Sequence, residues 1–257
     1  MYRQHNIAVV VPVHNEETLI ANTIRSIPDF VDLIVLVDDG SSDNTYYTIA
    51  QSYYPKVRLI KHRKNRGVGA ATVSGYRAAA AWGAEIVAVM DGDGQMHPGD
   101  LSNLLDEIIL RGADYAKGNR FLHPSIVYMP RLRYLGNRVL SLLMRLALGI
   151  KLPLDAQCGY SAITSRAIAI LELEKLYPRY GFLNELLFCL TTLKLKIASV
   201  PVQTIYGEEI SGINPFVTVP TILYLITNGY LRRLMVTNRA AKQISEESRP
   251  VEVEYYR

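Results

Sequence analysis

The sequence has little cysteine, little net charge and no long uninterrupted apolar run. Only two of its 257 residues are cysteine, Cys158 and Cys189, and they form no C-x-x-C pattern, which favours a reduced, cytoplasmic setting. The formal net charge of +4 is too small to indicate a nucleic-acid-binding protein. No apolar stretch reaches the roughly 20 residues that a membrane-spanning helix needs, and polar residues follow the N-terminus too soon for a signal peptide. Any contact with a membrane is therefore expected to be peripheral.

Two common nucleotide-binding signatures are also missing. The first predicted strand is not followed by G-x-G-x-x-G, and the chain has no Walker A lysine. A dinucleotide-binding dehydrogenase and a P-loop NTPase are therefore disfavoured. Hydrophobic residues make up 49% of the chain and charged residues 20%, which is typical of a globular protein. The length of 257 residues fits one large α/β domain, or one domain with an appendage.

Apolar runs alternate with helical segments through the first half of the chain. Strands are predicted at Ile7 to Val13, Leu33 to Val37, Val57 to Lys61 and Ile86 to Met90, and helices at Glu16 to Ile27 (with Asn15 as its cap), Tyr46 to Tyr53 and Gly67 to Trp82. This alternation predicts a parallel sheet of right-handed βαβ units. Further on, we predict helices at Pro98 to Leu110, 128 to 148 and Glu185 to Leu193, and strands at Tyr115 to Lys117 and Ile197 to Val202.

An acidic turn follows the fourth predicted strand. Asp91 and Asp93 stand one residue apart around Gly92, at a strand end where α/β proteins bind ligands. Two carboxylates beside flexible backbone suit Mg²⁺ or Mn²⁺ that is also held by substrate phosphates. Asp-Gly-Asp-Gly alone is also an ordinary surface turn. A second acidic turn begins at Asp38, and together the two turns could hold a base or ribose and a metal-bound diphosphate.

Two segments combine leucines with arginines. In residues 128 to 148, Arg131, Arg138 and Arg145 are seven apart and share a helical stripe. This helix either belongs to the core, with its arginines extended to solvent, or lies on a membrane surface. Pro215 to Met235 is apolar, is interrupted by a proline and by Asn-Gly, and ends in an arginine pair. It is expected either on a membrane, with those arginines at lipid phosphates, or packed against protein.

These features divide the chain into three parts. Residues 1–205 are predicted to form the catalytic domain. Residues 206–242 are predicted to form a loop and an amphipathic segment that meets a membrane surface or a second subunit. Residues 243–257 are predicted to be a flexible tail, with an edge strand as the alternative because valine and glutamate alternate there.

Six motifs occur in a characteristic order: VVVPVHNEE, VDDGSSDNT, NRGVGAA, DGDGQMHP, GNR and DAQCGY. Their order resembles that of family 2 glycosyltransferases, which have the GT-A fold, a mostly parallel α/β sheet flanked by helices. Within that family the chain is most similar to the dolichyl- and polyprenyl-phosphate hexose synthases. The resemblance implies transfer of a hexose from UDP-glucose or GDP-mannose to a polyprenyl phosphate at the cytoplasmic face of a membrane. It does not decide which of these donors is used or whether the protein forms a homo-oligomer.

The resemblance also implies roles for individual residues. The nucleotide would contact Pro12, His14, Glu16 and Asp39, and the metal and diphosphate would contact Asp91, Gly92, Asp93 and Gln95, with Mg²⁺ or Mn²⁺ bound by Asp91, Asp93 and Gln95. Arg120 would face the phosphates, Arg131 or Arg133 would meet the acceptor phosphate, and Asp155 corresponds to the acid usually nominated as catalytic base.

Alternatives remain for the residues and for the function. Asp39 could cap a helix, Arg120 could form a salt bridge, and Cys158 could be a packed thiol. The mannose synthases have an arginine near the last strand that TIYGEEISGIN lacks, so their acceptor chemistry does not carry over completely. A soluble family 2 transferase acting on a saccharide or small hydroxyl acceptor is the second interpretation. A non-catalytic nucleotide-sugar binding protein is the third.

Overall fold

A seven-stranded sheet forms the centre of the computed structural model, which describes residues 1–51, 54–205 and 215–247. The strands are β1 (Ile7–Val13), β2 (Leu33–Asp38), β3 (Val57–Lys61), β4 (Ile86–Val89), β5 (Tyr115–Asn119), β6 (Ser161–Thr164) and β7 (Ile197–Pro201). Their order is β3-β2-β1-β4-β6-β5-β7, and every pairing is parallel except those of β6 with β4 and β5. The predicted mostly parallel α/β sheet is thus confirmed.

Helices cover both faces of this sheet. They are α1 (Ile20–Ser26), α2 (Thr45–Gln51), α3 (Val68–Ala81), α4 (Leu101–Ile109), α5 (Arg131–Leu148), α6 (Ser165–Ile170), α7 (Phe182–Thr192) and α8 (Pro215–Glu247). One apolar layer lies under α1, α2 and α4, and the other under α3 and α5 to α8. All seven residues of β1 are buried, as expected for a central parallel strand that is covered on both faces. Gly75 of α3 lies directly against Val10, so the small residues of α3 let it approach the sheet closely.

Several predicted helix boundaries are wrong. The first helix begins at Ile20 rather than Glu16, and Asn15 does not cap it. Asn15 instead adopts a left-handed conformation with φ 58°, and its Oδ1 accepts a hydrogen bond of 2.8 Å from the backbone N–H of Ser42. The predicted helix from Pro98 is a short 3₁₀ turn, Pro98–Asp100, followed by α4. The strand β6 was not predicted at all.

The C-terminal apolar segment forms one continuous helix. The expected interruptions at Pro220 and Asn228-Gly229 are wrong, because α8 runs through both. Ile222 and Ile226 enter the same apolar layer as α5 and α7, and Gly229 lies against the ring of Phe188. No helix in the described ranges is long and apolar enough to cross a membrane. The suggested edge strand within residues 248–257 lies outside the described residues.

Candidate functional site

The predicted acidic turn lies at the position where the sheet reverses its strand order. The chain passes from β1 to β2 on one side and returns to β4 on the other side of β1. Open α/β sheets bind ligands at such a position, beyond the carboxyl ends of the strands. Asp91 and Asp93 follow β4 here, and Glu16 follows β1. The turn is fixed by the Thr23 hydroxyl, which donates to the Gly92 carbonyl oxygen at 2.9 Å.

Three carboxylates act on one another at this position. Burial raises the pKa of Asp91 to about 7, and the neighbouring charges of Asp93 and Glu16 add to the effect, against the opposing influence of Arg120 and Lys117. Burial also raises the pKa of Glu16 to about 7, with Asp93 and Asp43 contributing. Carboxylates that are crowded in this way repel one another once ionised, and a cation relieves that repulsion. The donor set therefore fits a hard divalent cation.

The protein alone does not complete a metal site. Within the described part of the chain, no three or more His, Cys, Asp or Glu side chains stand close enough together to hold a metal ion. Mg²⁺ characteristically takes one or two carboxylates and fills its remaining positions with water and substrate phosphates. Asp91 and Asp93 match that arrangement. The backbone N–H of Gln95 donates to Oδ1 of Asp93 at 3.0 Å, so this carboxylate is already oriented.

The raised pKa values predict how stability depends on pH. A carboxyl group with a higher pKa in the folded state binds its proton more tightly when folded, so its contribution to stability is lost as pH rises through the folded pKa. Because Asp91 and Glu16 both titrate near 7, the metal-free protein should become less stable between about pH 5 and pH 8. Urea unfolding across this range measures the effect, and Glu16→Gln should reduce it. A stability that rises steadily over the same range would contradict the prediction.

Arg120 and Asp155 form a buried ion pair beside these carboxylates. Arg120 Nε donates to Asp155 Oδ2 at 2.6 Å, and Nη2 donates to Oδ1 at 2.9 Å. Asp155 is 1% exposed and Arg120 6%. Arg120 therefore forms the salt bridge that the sequence analysis gave as its alternative role. A carboxylate that accepts two hydrogen bonds from a guanidinium is well suited to hold that guanidinium in one orientation. This favours a positioning role for Asp155 over that of a base. The roles of both residues in catalysis remain predictions.

Asp39 is surrounded by donors from the protein itself. Its carboxylate accepts from the backbone N–H groups of Arg66 (3.0 Å) and Gly67 (2.6 Å), and its Oδ1 lies 2.6 Å from Nδ1 of His62. The other ring nitrogen of His62 lies 2.9 Å from the Ser74 hydroxyl. Asp39 therefore fixes the loop that carries the NRG motif rather than capping a helix. Its predicted contact with a base or ribose stays a prediction.

The remaining predicted residues differ in their exposure. Pro12 is buried within β1, whereas His14 is exposed just beyond its end. Arg131 and Arg133 lie in the first turn of α5, where Arg131 is exposed and Arg133 is half-buried. Their predicted role at an acceptor phosphate is not tested by these positions.

Two residues near the carboxylates were missed by the sequence analysis. Lys117 lies within β5 at 1% exposure, and its only sequence signal is a lysine that follows Tyr115 and Ala116 directly before GNR. Tyr180 lies in the loop before α7, and partial burial together with Asp91, Asp93 and Glu16 raises the pKa of its phenol. That loop is held against the NRG loop, because Nη1 of Arg179 donates to Oδ1 of Asn65 at 3.2 Å.

Comparisons with known proteins identify the family to which the chain belongs. The model of the glycosyl transferase family 2 matches residues 8–168. The UDP-N-acetylglucosamine–dolichyl-phosphate N-acetylglucosaminyltransferase of Methanococcus voltae is 34% identical over 79% of this chain and 86% of its own length. The undecaprenyl-phosphate mannosyltransferase of Micrococcus luteus is 27% identical over 79% of this chain and 84% of its own.

Solved structures share the fold. The glucosyl-3-phosphoglycerate synthase of Mycobacterium tuberculosis in complex with UDP is 24% identical, with a TM-score of 0.67 over 88% of this chain and 80% of that one. The same enzyme in complex with Mn²⁺, UDP and glucosyl-3-phosphoglycerate has a TM-score of 0.65 at 22% identity, over the same shares of the two chains. These are GT-A glycosyltransferases, which confirms the predicted GT-A fold. The chain belongs to glycosyltransferase family 2, as an enzyme related to the polyprenyl-phosphate sugar transferases.

Proposed function

We propose that this protein transfers a single hexose or N-acetylhexosamine from a nucleoside diphosphate sugar to a polyprenyl phosphate, with inversion and with Mg²⁺ or Mn²⁺ bound. The observation that carries the proposal is the group of Asp91, Asp93 and Glu16 beside the buried Arg120–Asp155 pair, at the ligand-binding edge of the sheet. The names of the relatives support glucose, mannose and N-acetylglucosamine as candidate sugars.

The residues divide the chemistry between them. Displacing a nucleoside diphosphate places negative charge on its two phosphates, and stabilising that charge is the main catalytic demand. Asp91 and Asp93 would hold the divalent cation, which when bound neutralises the diphosphate. Arg120 supplies a second positive charge, held in one orientation by Asp155. A single in-line displacement inverts the sugar carbon.

The acceptor needs little help to become a nucleophile. A phosphate monoester has a second pKa of about 6 and is largely ionised at neutral pH. A dedicated base is then unnecessary, which agrees with Asp155 being bound to Arg120 on both oxygens. A hydroxyl acceptor would instead require a base. The identity of the acceptor therefore determines what Asp155 must do.

An exposed apolar surface supports a lipid-linked acceptor. The α5 face consists of Leu132, Leu135, Val139, Leu142 and Leu146, whose side chains are between 49% and 85% exposed. Val127 and Tyr128, just before α5, are also exposed, at 76% and 74%. Exposed apolar surface of this extent usually marks an interaction site. We place it at the membrane boundary, with the acceptor phosphate directed to the carboxylates.

Three of the arginines expected at lipid phosphates, Arg138, Arg232 and Arg233, have partners within the protein. Arg233 Nη1 donates to the Ala147 carbonyl oxygen at 2.8 Å, near the end of α5, and Arg232 Nη1 lies 3.5 Å from Glu185 Oε1. On α5 itself, the Arg138 guanidinium lies over the rings of Phe121 and Tyr134, 5.1 and 5.9 Å from their centroids. Arg232 and Arg233 therefore hold α8 to the protein, and leucines rather than arginines are the residues to change in a membrane-binding test.

Vesicle flotation tests the membrane surface. The wild-type protein should float with phosphatidylglycerol-rich vesicles, because the α5 face enters the acyl boundary. Leu135→Asp with Leu142→Asp should abolish flotation. The matched control is Leu110→Asp with Ile170→Asp, two exposed apolar residues outside that face, which should float like the wild type. Equal flotation of both pairs, or none by the wild type, would contradict the surface and favour the soluble transferase.

A donor and acceptor screen tests the reaction. UDP- and GDP-linked sugars are incubated with Mn²⁺, with and without a polyprenyl phosphate, and release of the nucleoside diphosphate is measured. Release that depends on the lipid phosphate is expected. Release only with a saccharide acceptor would overturn the lipid acceptor, and no release with any pair would overturn the transferase proposal in this form.

A further inference from the structure

A lysine is buried beneath the candidate site. Lys117 is 1% exposed, and its Nζ donates to the Cys158 carbonyl oxygen at 2.6 Å. Burial lowers the pKa of this ammonium, while Cys158, Asp155 and Asp91 act in the opposite direction. Burying an ammonium group is costly unless it is hydrogen-bonded and accompanied by negative charge. A lysine in this position therefore needs a compensating role.

The carbonyl that Lys117 holds belongs to the turn that joins three parts of the site. At its start, Asp155 binds Arg120. Next to it, the N–H of Ala156 donates to the Ser141 hydroxyl of α5 at 3.0 Å. At its end, Gly159 lies against Asp91 so closely that a Cβ there would be 3.0 Å from Oδ2. The 155–159 turn thus connects α5, the buried ion pair and the acidic turn, and Lys117 supports it from the sheet.

The carboxylates around this turn outnumber the cations by two. The carboxylates of Asp91 and Asp155 interact with the cations of Arg120 and Lys117. Asp91 also interacts with the carboxylates of Asp93 and Glu16. With all six groups ionised, the set carries two negative charges, which one divalent cation would neutralise. Without Lys117, the same set would carry three.

We propose that Lys117 is a positioning residue of this site, which holds the 155–159 turn through the Cys158 carbonyl and sets the charge that a divalent cation meets at Asp91 and Asp93. This role rests on the proposed metal-dependent transfer. It assigns Lys117 no contact with substrate. It predicts two effects of replacing Lys117: loss of the charge changes the affinity for the cation, and loss of the hydrogen bond lowers the rate of transfer.

Lys117→Met keeps the length of the side chain and removes both the charge and the hydrogen bond. Titration of the substrate-free protein with Mn²⁺, followed by electron paramagnetic resonance, should show binding at least about threefold tighter than wild type, because a repelling charge is gone. Transfer from the donor found in the screen should fall about tenfold or more in kcat, because the turn is no longer held. The KM for the donor should change less.

Lys117→Gln separates the charge from the hydrogen bond, and it replaces the Met variant if that protein fails to fold. It should show the same tighter Mn²⁺ binding with a smaller loss of kcat. Tyr115→Phe is the matched control, since Tyr115 lies two residues earlier on the same face of β5 and is also buried. Its Mn²⁺ affinity and kcat should stay at the wild-type values.

A purely structural lysine would lower the melting temperature and leave the Mn²⁺ affinity unchanged, which would overturn the proposal. The metal titration needs no sugar donor, so it tests Lys117 even if the transfer reaction differs from the one proposed. A wild-type protein that binds Mn²⁺ but transfers no sugar would overturn the proposed function alone. A wild-type protein that binds Mn²⁺ neither alone nor in the presence of UDP or GDP would overturn both.

Discussion

Replacing Asp93 by Asn is expected to remove metal-dependent donor binding. Asp93 acts on both Asp91 and Glu16, and its Oδ1 is already oriented by the N–H of Gln95. An amide has the same shape but lacks the charge that a hard cation requires of its ligand. Isothermal titration of the UDP or GDP sugar in the presence of Mn²⁺ should show at least about a hundredfold weaker binding, and turnover should fall with it.

The fold should remain intact in this variant, because Asp93 is half-buried at the edge of the sheet. Removing one of three crowded carboxylates relieves repulsion, so the metal-free protein should be no less stable than wild type in urea. Asp106→Asn is a suitable control with the same change of charge. Asp106 bonds to Tyr2 and Arg3 on a different part of the surface, and donor binding should be unaffected. Unchanged metal-dependent affinity in Asp93→Asn would remove Asp93 from the metal site.

The first half of the fold could be predicted because buried parallel strands consist of continuous runs of apolar residues. β1 and β3 begin and end where the sequence predicts, and β2 and β4 differ by one residue at one end. Strand β6 could not be found in this way. It has four residues, Ser161–Thr164, and directly follows the DAQCGY motif of residues 155–160. It forms a strand because it pairs with β4 on one side and β5 on the other, both antiparallel. These pairings belong to the tertiary structure and leave no pattern in the segment itself.

The same distinction applies to the candidate site. Asp91 and Asp93 could be placed together in advance, since they follow a strand of a parallel sheet at the edge where ligands bind. The sequence analysis did not group Glu16 with them, although it follows the neighbouring strand β1. The contacts of Asp39 with the NRG loop could not be predicted, because its partners lie 23 to 28 positions away and depend on how a loop folds. Lys117 was missed for a related reason. A buried lysine has no pattern of its own, and only its partner, the Cys158 carbonyl 41 positions away, shows why it is there.

The buried ion pair carries the second large prediction. Asp155→Asn should lower the free energy of unfolding by about 3 kcal/mol, because removing one partner of a buried pair leaves the other charge uncompensated. Arg120 would then be a buried cation with one neutral acceptor in place of a bidentate carboxylate. Turnover should fall by about a hundredfold or more, since Arg120 would no longer be held in one orientation. Urea unfolding and steady-state kinetics measure the two effects separately.

A double variant separates the contribution to stability from the contribution to catalysis. Asp155→Leu combined with Arg120→Met replaces the pair by apolar side chains of similar size, and such replacements of buried ion pairs are often neutral or stabilising. The double variant should therefore recover most of the stability that Asp155→Asn loses. It should recover none of the turnover, because the positive charge that we propose to face the departing diphosphate is absent. Wild-type turnover by Asp155→Asn on a polyprenyl phosphate would make the pair structural, and the catalytic charge would then have to come from the metal alone.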